Sequence, residues 1–89
     1  EKISVNLWMS GDKHKQNFDK LQQICYERSI ETFGEGIVWF RNDNNNSSQV
    51  FISRLGSYTN KEDWNSQFQW LSNNLEKFVD FFKLEIAKI

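Results

Sequence analysis

Between Trp64 and Ile89 the apolar residues Trp64, Phe68, Leu71, Leu75, Phe78, Phe82, Ile86 and Ile89 recur at intervals of three and four. That spacing keeps them on one side of an α-helix for about seven turns and predicts a core-facing final helix. The other end of the chain has a different period. Ile3, Val5 and Leu7 alternate with Lys2, Ser4, Asn6 and Trp8, as in a strand with one face buried. Ser10-Gly11-Asp12 interrupts the alternation, and Asp12 is a candidate N-cap whose carboxylate can accept from free backbone donors of the next turn. From Lys13 the positions Phe18, Leu21 and Cys25, flanked by Ile24 and Arg28, return to helical spacing, with Lys13, Lys15, Lys20, Gln22, Gln23 and Glu27 on the wet side. This first helix is expected to end before Gly34, the first of two glycines, Gly34 and Gly36, that can take positive φ.

Ile37 to Arg41 and Gln49 to Leu55 are short runs rich in β-branched and aromatic residues and read as strands. The polar stretch Asn42 to Ser48 between them has strong turn chemistry, so the two strands form an antiparallel hairpin. Gly56-Ser57-Tyr58-Thr59 turns the chain again. Thr59 or Asn60 caps the final helix, and Glu62 and Asp63 suit its dipole. The element order is β-α-β-β-α. A right-handed crossover sets strands one and two parallel and the third antiparallel to its hairpin partner. The expected fold is α+β: a three-stranded mixed sheet of order 1-3-2 with two helices on one face, akin to part of a ferredoxin-like unit. No internal repeat or linker divides the 89 residues, which form one domain.

Turning the hairpin about its loop so that Arg41 faces Val50, Phe40 faces Phe51 and Trp39 faces Ile52 sorts the side chains onto two faces. One carries Ile37, Trp39, Val50 and Ile52; the other carries Val38, Phe40, Phe51 and Leu55. Two helices on one side hide only one of them, and an exposed apolar patch of several hundred Å² is unusual on a soluble monomer. Val38, Phe40, Phe51 and Leu55 are therefore the candidate protein-interaction residues. Their cover would be a preceding segment, an N-terminal domain of the same polypeptide, or a second copy of the chain.

Composition sharpens this picture in three ways. Four Trp, eight Phe and two Tyr make the chain 16% aromatic, so a few large side chains must supply most of the buried area of a small core. Eleven basic and twelve acidic residues give a net charge of -1, which argues against holding a nucleic acid backbone by bulk charge. One cysteine, Cys25, cannot form an internal disulfide, and neither a signal peptide nor a membrane-spanning apolar run is present. These features fit a cytoplasmic setting with no membrane partner. The chain opens Glu1-Lys2-Ile3 without an initiator Met, inside a strand-like alternation. It reads as the C-terminal part of a longer protein.

Candidate chemistry is sparse. His14 and Cys25 are separated by neither a zinc spacing nor a helix-face interval; His14 reads as a solvated residue of the first helical turn and Cys25 as a small core residue. A restriction-type nuclease needs carboxylates on adjacent strands beside a Lys to hold metal and attacking water together, and the strands here carry none. Glu85-Ile86-Ala87-Lys88 lies on a helix, and the pairs Glu27/Glu31 and Glu76/Asp80 have the ordinary spacing of solvated helix faces. Gly34-Glu35-Gly36 lacks the strand-turn-helix context of a phosphate loop. No catalytic residue, cofactor or metal site is expected, and the domain reads as noncatalytic. Lys2, Arg41 and Arg54, with Trp8, Trp39 and Tyr58, would form a basic-aromatic nucleic-acid site if they converge. Snorkelling of the arginines at the sheet margin is the plainer account.

The segment Ser48 to Gly56, followed by Asn60-Lys61-Glu62-Asp63-Trp64 and then Gln69-Trp70-Leu71 with Leu75, Phe78 and Phe82, resembles a bacterial and archaeal family called domain of unknown function 4268. The opening Ile3 to Trp8 and the helix after it fit the same pattern. The resemblance covers nearly the whole chain and corresponds to the C-terminal two thirds of that domain. It implies an accessory module in a larger bacterial protein, associated with a restriction-type nuclease, whose partner is protein or, alternatively, DNA. Trp64, Trp70 and Leu71 are packing positions under this comparison. Arg54 matches a basic position of the family's third strand, whereas Gln49 stands where an arginine is common, a departure that weakens nucleic-acid binding by this strand.

Overall fold

A computed structural model describes residues 2–44, 46–57 and 59–89. The elements follow the expected order: β1 (Lys2–Ser10), α1 (His14–Phe33), β2 (Val38–Phe40), β3 (Ser47–Leu55), a single 3-10 turn (Lys61–Asp63) and α2 (Trp64–Ile86). The sheet order is β1-β3-β2, with β3 in the centre. β1 and β2 run in the same direction, as expected of two strands joined by a crossover helix. Because β3 separates them, both hydrogen-bonded ladders are antiparallel and the expected mixed sheet becomes an antiparallel one.

The long ladder aligns Lys2 with Leu55 through to Ser10 with Ser47; the short one aligns Val38 with Phe51, Trp39 with Val50 and Phe40 with Gln49. The hairpin register is therefore two residues away from the one expected. A slip of two keeps every side chain on its own face, so the hydrophobic pattern cannot distinguish the two registers, whereas a slip of one would have turned the core outward.

The core lies on one side of the sheet. Val5, Val50 and Ile52, with Ile37 just ahead of β2, meet Phe18, Leu21 and Cys25 of α1 and Phe78 and Phe82 of α2. Both helices therefore cover the same face, with α1 over β3 and α2 over β1. Rings dominate the contact: Trp39 meets Phe18 and Phe82 edge-on, and Phe33 of α1 packs against Phe78, Phe81 and Phe82 of α2. Burying each of these aromatic side chains contributes roughly 2 to 3 kcal/mol before conformational entropy is subtracted.

Gly34 ends α1 with φ +88°, its N–H donating 2.7 Å to the Ile30 carbonyl, a left-handed stop that costs glycine little. At the other end Lys13, not Asp12, occupies the N-cap position, and no side chain caps it. The start of α1 is held by a local turn, with His14 N–H bonded to the Gly11 carbonyl, and by a tertiary bond from Gly11 N–H to the Asn46 carbonyl. α2 is likewise uncapped by side chains and continues directly from the 3-10 turn, with Asp63 at the N-cap position.

The final helix departs from expectation in one respect that matters below. Of its predicted core-facing stripe only Phe78 and Phe82 are buried, while Phe68, Leu75 and Ile86 are exposed. A helix lying over an edge strand meets the sheet with only part of its apolar arc.

Candidate functional site

The second face of the sheet has no helix on it, and the strand registers arrange its side chains in rows. Trp8, Gln49 and Phe40 form one row across β1, β3 and β2; Asn6, Phe51 and Val38 form the next; Ser10 with Ser47, Ser4 with Ser53 and Lys2 with Leu55 complete the face. Trp8 is 61% exposed, Phe40 46% and Leu55 72%, and Val38 is also exposed. Phe51, in the central strand, is half-buried between its neighbours. The surface thus gathers Val38, Phe40, Phe51 and Leu55 on one face and adds Trp8. The alternation along β1 hid Trp8 among polar positions; its even-numbered parity with Lys2, Ser4 and Asn6 was the signal that places it there.

Amides fix the middle of this surface. Asn6 Nδ2 donates 2.7 Å to Gln49 Oε1, and Ser4 Oγ donates 2.8 Å to Asn6 Oδ1. The chain of bonds orients Gln49 between Trp8 and Phe40, leaving two rings either side of a held amide. Among the described strand residues on this face Lys2 is the single charged side chain, and no carboxylate is present. The centre of this face is therefore uncharged and carries the exposed rings of Trp8 and Phe40.

The three basic residues do not converge. Lys2 lies on the open face, whereas Arg41 and Arg54 belong by parity to the helix-covered face and stand at opposite ends of the sheet. Arg41 donates from Nε and Nη2 to Asp19 at 2.9 and 3.2 Å and also pairs with Asp43. Arg54 donates from Nη2 to Asp63 at 2.9 Å, from Nη1 to Ser66 Oγ at 3.1 Å and from Nε to the Leu55 carbonyl at 3.0 Å. Both guanidinium groups are occupied by intramolecular acceptors, as snorkelling strand-end arginines would be. Trp39 faces the core and donates to Ser29 Oγ at 3.1 Å. Tyr58 lies outside the described residues.

Two buried polar clusters sit on the helix side. His14, expected in solvent, is 4% exposed, and its Nδ1 shares a 2.7 Å hydrogen bond with Ser48 Oγ, which is also buried. Ser48 occupies the core face at the start of β3 and meets the first turn of α1 there. Near the other end of the helices, the buried Glu85 carboxylate pairs with Arg28 and, at 3.2 Å, with Lys88. Burial alone would raise this carboxyl, but hydrogen bonds from Arg28 and Lys88 and their charges outweigh it and hold Glu85 below the ordinary carboxylate range. Cys25 is a core residue as expected, its Sγ 3.1 Å from the Leu21 carbonyl. Burial, reinforced by the Glu85 charge, pushes the thiol up to about 11. The His14–Ser48 pair joins α1 to β3 inside the fold, whereas the Glu85 cluster joins α2 to α1 with its two cations open to solvent. Among the described residues no three His, Cys, Asp or Glu side chains gather closely enough to hold a metal ion, and no helix is long and apolar enough to cross a membrane.

A family model described as domain of unknown function (DUF4268) matches residues 1–85. The chain belongs to that family. Comparison with curated proteins and with solved structures gives no match.

Proposed function

We propose that this DUF4268 domain is a noncatalytic docking module that binds its own preceding domain within a longer polypeptide through the open sheet face. Trp8, Phe40 and Phe51 are the anchors, and Val38 and Leu55 extend the apolar area. The observation that carries this reading is the row Trp8, Gln49, Phe40, in which two exposed rings flank an amide already held by Asn6. Exposed Trp and Phe at the centre of an uncharged patch supply most of the energy of a protein interface once covered. The resemblance noted from the sequence gives the wider context, an accessory role beside a restriction-type nuclease in a bacterial protein.

Hydroxyl-radical footprinting tests it by comparing Trp8 and Phe40 in the 89-residue chain with the same residues in the product of the full reading frame. The expected result is a severalfold drop in labelling in the longer protein, abolished by Phe40→Lys; equal labelling in both overturns the reading. A single-stranded oligonucleotide titration of the same proteins separates the DNA alternative. Affinity that falls steeply with salt and needs Lys2 or Trp8 would favour nucleic acid.

A further inference from the structure

The sheet has an open place at the outer edge of β1. β1 is nine residues long and pairs only with β3 among the described residues, so alternate residues turn their N–H and C=O groups outward with no strand to meet them. Edge strands normally carry charges, proline or a bulge that discourage further pairing. β1 has an uninterrupted register, no proline and one charge, Lys2 at its end. β2, the opposite edge, is blunted to three residues.

The helix layer is wider than the sheet beneath it. Two packed helices, each about 10 Å across, span about four strands at a spacing of about 4.8 Å, and here they lie over three. With α1 over β3 and α2 over β1, the surplus width falls beside β1, under the outer flank of α2. That flank is apolar. At 100° per residue, Phe68, Leu75, Val79 and Ile86 fall within about 40° of one another around the helix, roughly 80 to 100° from the buried Gln67, Phe78 and Glu85. Phe81, on the far side, packs against Phe33 of α1, so the stripe points away from α1 and out past β1. Leu75 is 55% exposed and Val79 53%. Between the stripe and the strand lies an apolar groove of about 230 Å³, bounded by Val5 and Leu7 on one side and Leu75, Val79 and Ile86 on the other. Lys83 is the one charged residue among its described lining, and its ammonium forms no ion pair with another described residue.

We propose that β1 is a docking edge for one extended strand of a partner polypeptide, whose alternate apolar side chains enter the groove and whose carboxylate meets Lys83. Each part of that chemistry answers a feature of the site. A row of outward backbone donors and acceptors is matched by another strand, which adds to the sheet by main-chain hydrogen bonds and takes its specificity from pockets for alternate side chains. The groove supplies such pockets. Its volume of about 230 Å³ lies below the roughly 300 to 1,000 Å³ of a small-molecule site and suits a few side chains. In an apolar groove the free cation at Lys83 selects an acidic residue on the incoming strand. Width excludes the other occupants. The place beside β1 is about one strand wide, less than half the diameter of a helix. A second copy pairing through its own β1 would bring a second α2 into the space the first one holds, and pairing through β2 offers only three residues. A single strand brings no helix with it, and the resulting four-stranded sheet matches the width of the helix layer.

Fluorescence anisotropy with labelled peptides as long as β1 tests this. The peptides alternate Val with Thr and carry one Glu, moved in turn through the Val positions so that both strand directions are sampled. At least one is expected to bind the 89-residue chain saturably below about 1 mM. Leu75→Glu is expected to weaken that binding about tenfold or more with circular dichroism unchanged. Lys83→Glu is expected to weaken it about twofold to fivefold, and a peptide with Lys in place of its Glu to restore it. Methylating the backbone nitrogens along one edge of the peptide is expected to abolish binding, and along the other edge to leave it intact. Failure of every peptide to bind, equal binding of the two methylated forms, or indifference to Leu75→Glu overturns the proposal. A free chain whose mass by light scattering is twice 10.7 kDa, and returns to 10.7 kDa in Leu75→Glu, gives the groove to a second copy and overturns it too. Phe40→Lys is expected to leave peptide binding unchanged, which separates this test from that of the docking function; binding lost in Phe40→Lys but kept in Leu75→Glu overturns the proposal in favour of the open face.

Discussion

His14 and Ser48, 34 positions apart, share a 2.7 Å hydrogen bond that closes the first turn of α1 against the start of the central strand. Both are buried, so neither can exchange the bond for water. Ser48→Ala leaves the imidazole Nδ1 without this partner and is expected to cost about 1 to 3 kcal/mol. In a domain of this size that lowers Tm by roughly 4 to 8 °C for each kcal/mol, read by circular dichroism. An unchanged Tm would show that the bond contributes nothing net.

Two phenylalanines separate the layers. Phe82 is 2% exposed and touches Trp39, Phe33 and Phe78, whereas Phe40 stands on the open face. Phe82→Ala is expected to cost about 3 to 5 kcal/mol, most of the stability available to so small a core. Phe40→Ala is expected to stay within about 1 kcal/mol, as for a surface position. Urea denaturation of the two variants checks the contrast, and equal losses would mean that the open face contributes to the fold.

Glu85 links stability to pH. Its folded carboxyl is held below the ordinary range by Arg28 and Lys88, so the unfolded state binds the proton more readily. The contribution is present above the unfolded value of about 4.3 and is lost as pH falls through the folded value. Glu85→Gln is therefore expected to flatten the acid limb of the stability curve below about pH 4.5. A variant whose acid limb matches that of the parent would remove Glu85 as its source.

Cys25, buried and with its thiol pushed up to about 11, holds almost no thiolate at pH 8. Alkylation by iodoacetamide should be very slow in the folded chain and fast in urea, with a native rate that tracks unfolding. Rapid native labelling would mean that the seam between the helices opens far more readily than its packing implies.

Much of this architecture was legible along the chain because side-chain period is a local property. Alternation in β1 and β3 assigned residues to faces, since successive side chains of a strand must point to opposite sides. The spacing of Phe18, Leu21 and Cys25, and of Phe78 and Phe82, located the two helices, and Gly34 marked the end of the first. The open face bearing Val38, Phe40, Phe51 and Leu55 followed from the same parity.

Tertiary structure decided what parity leaves free. A register displaced by two preserves every face, so only the closed hairpin settled that Trp39 pairs with Val50. His14 looked like a solvated helix-start residue until the turn at Gly11 and the start of β3 enclosed it. Arg41 and Arg54 looked available until Asp19, Asp43 and Asp63, distant or unremarkable in sequence, were brought beside them. The apolar stripe of α2 was visible as a period, but a period does not say where the sheet ends. Because α2 lies over the edge strand, half of that stripe projects past it into solvent.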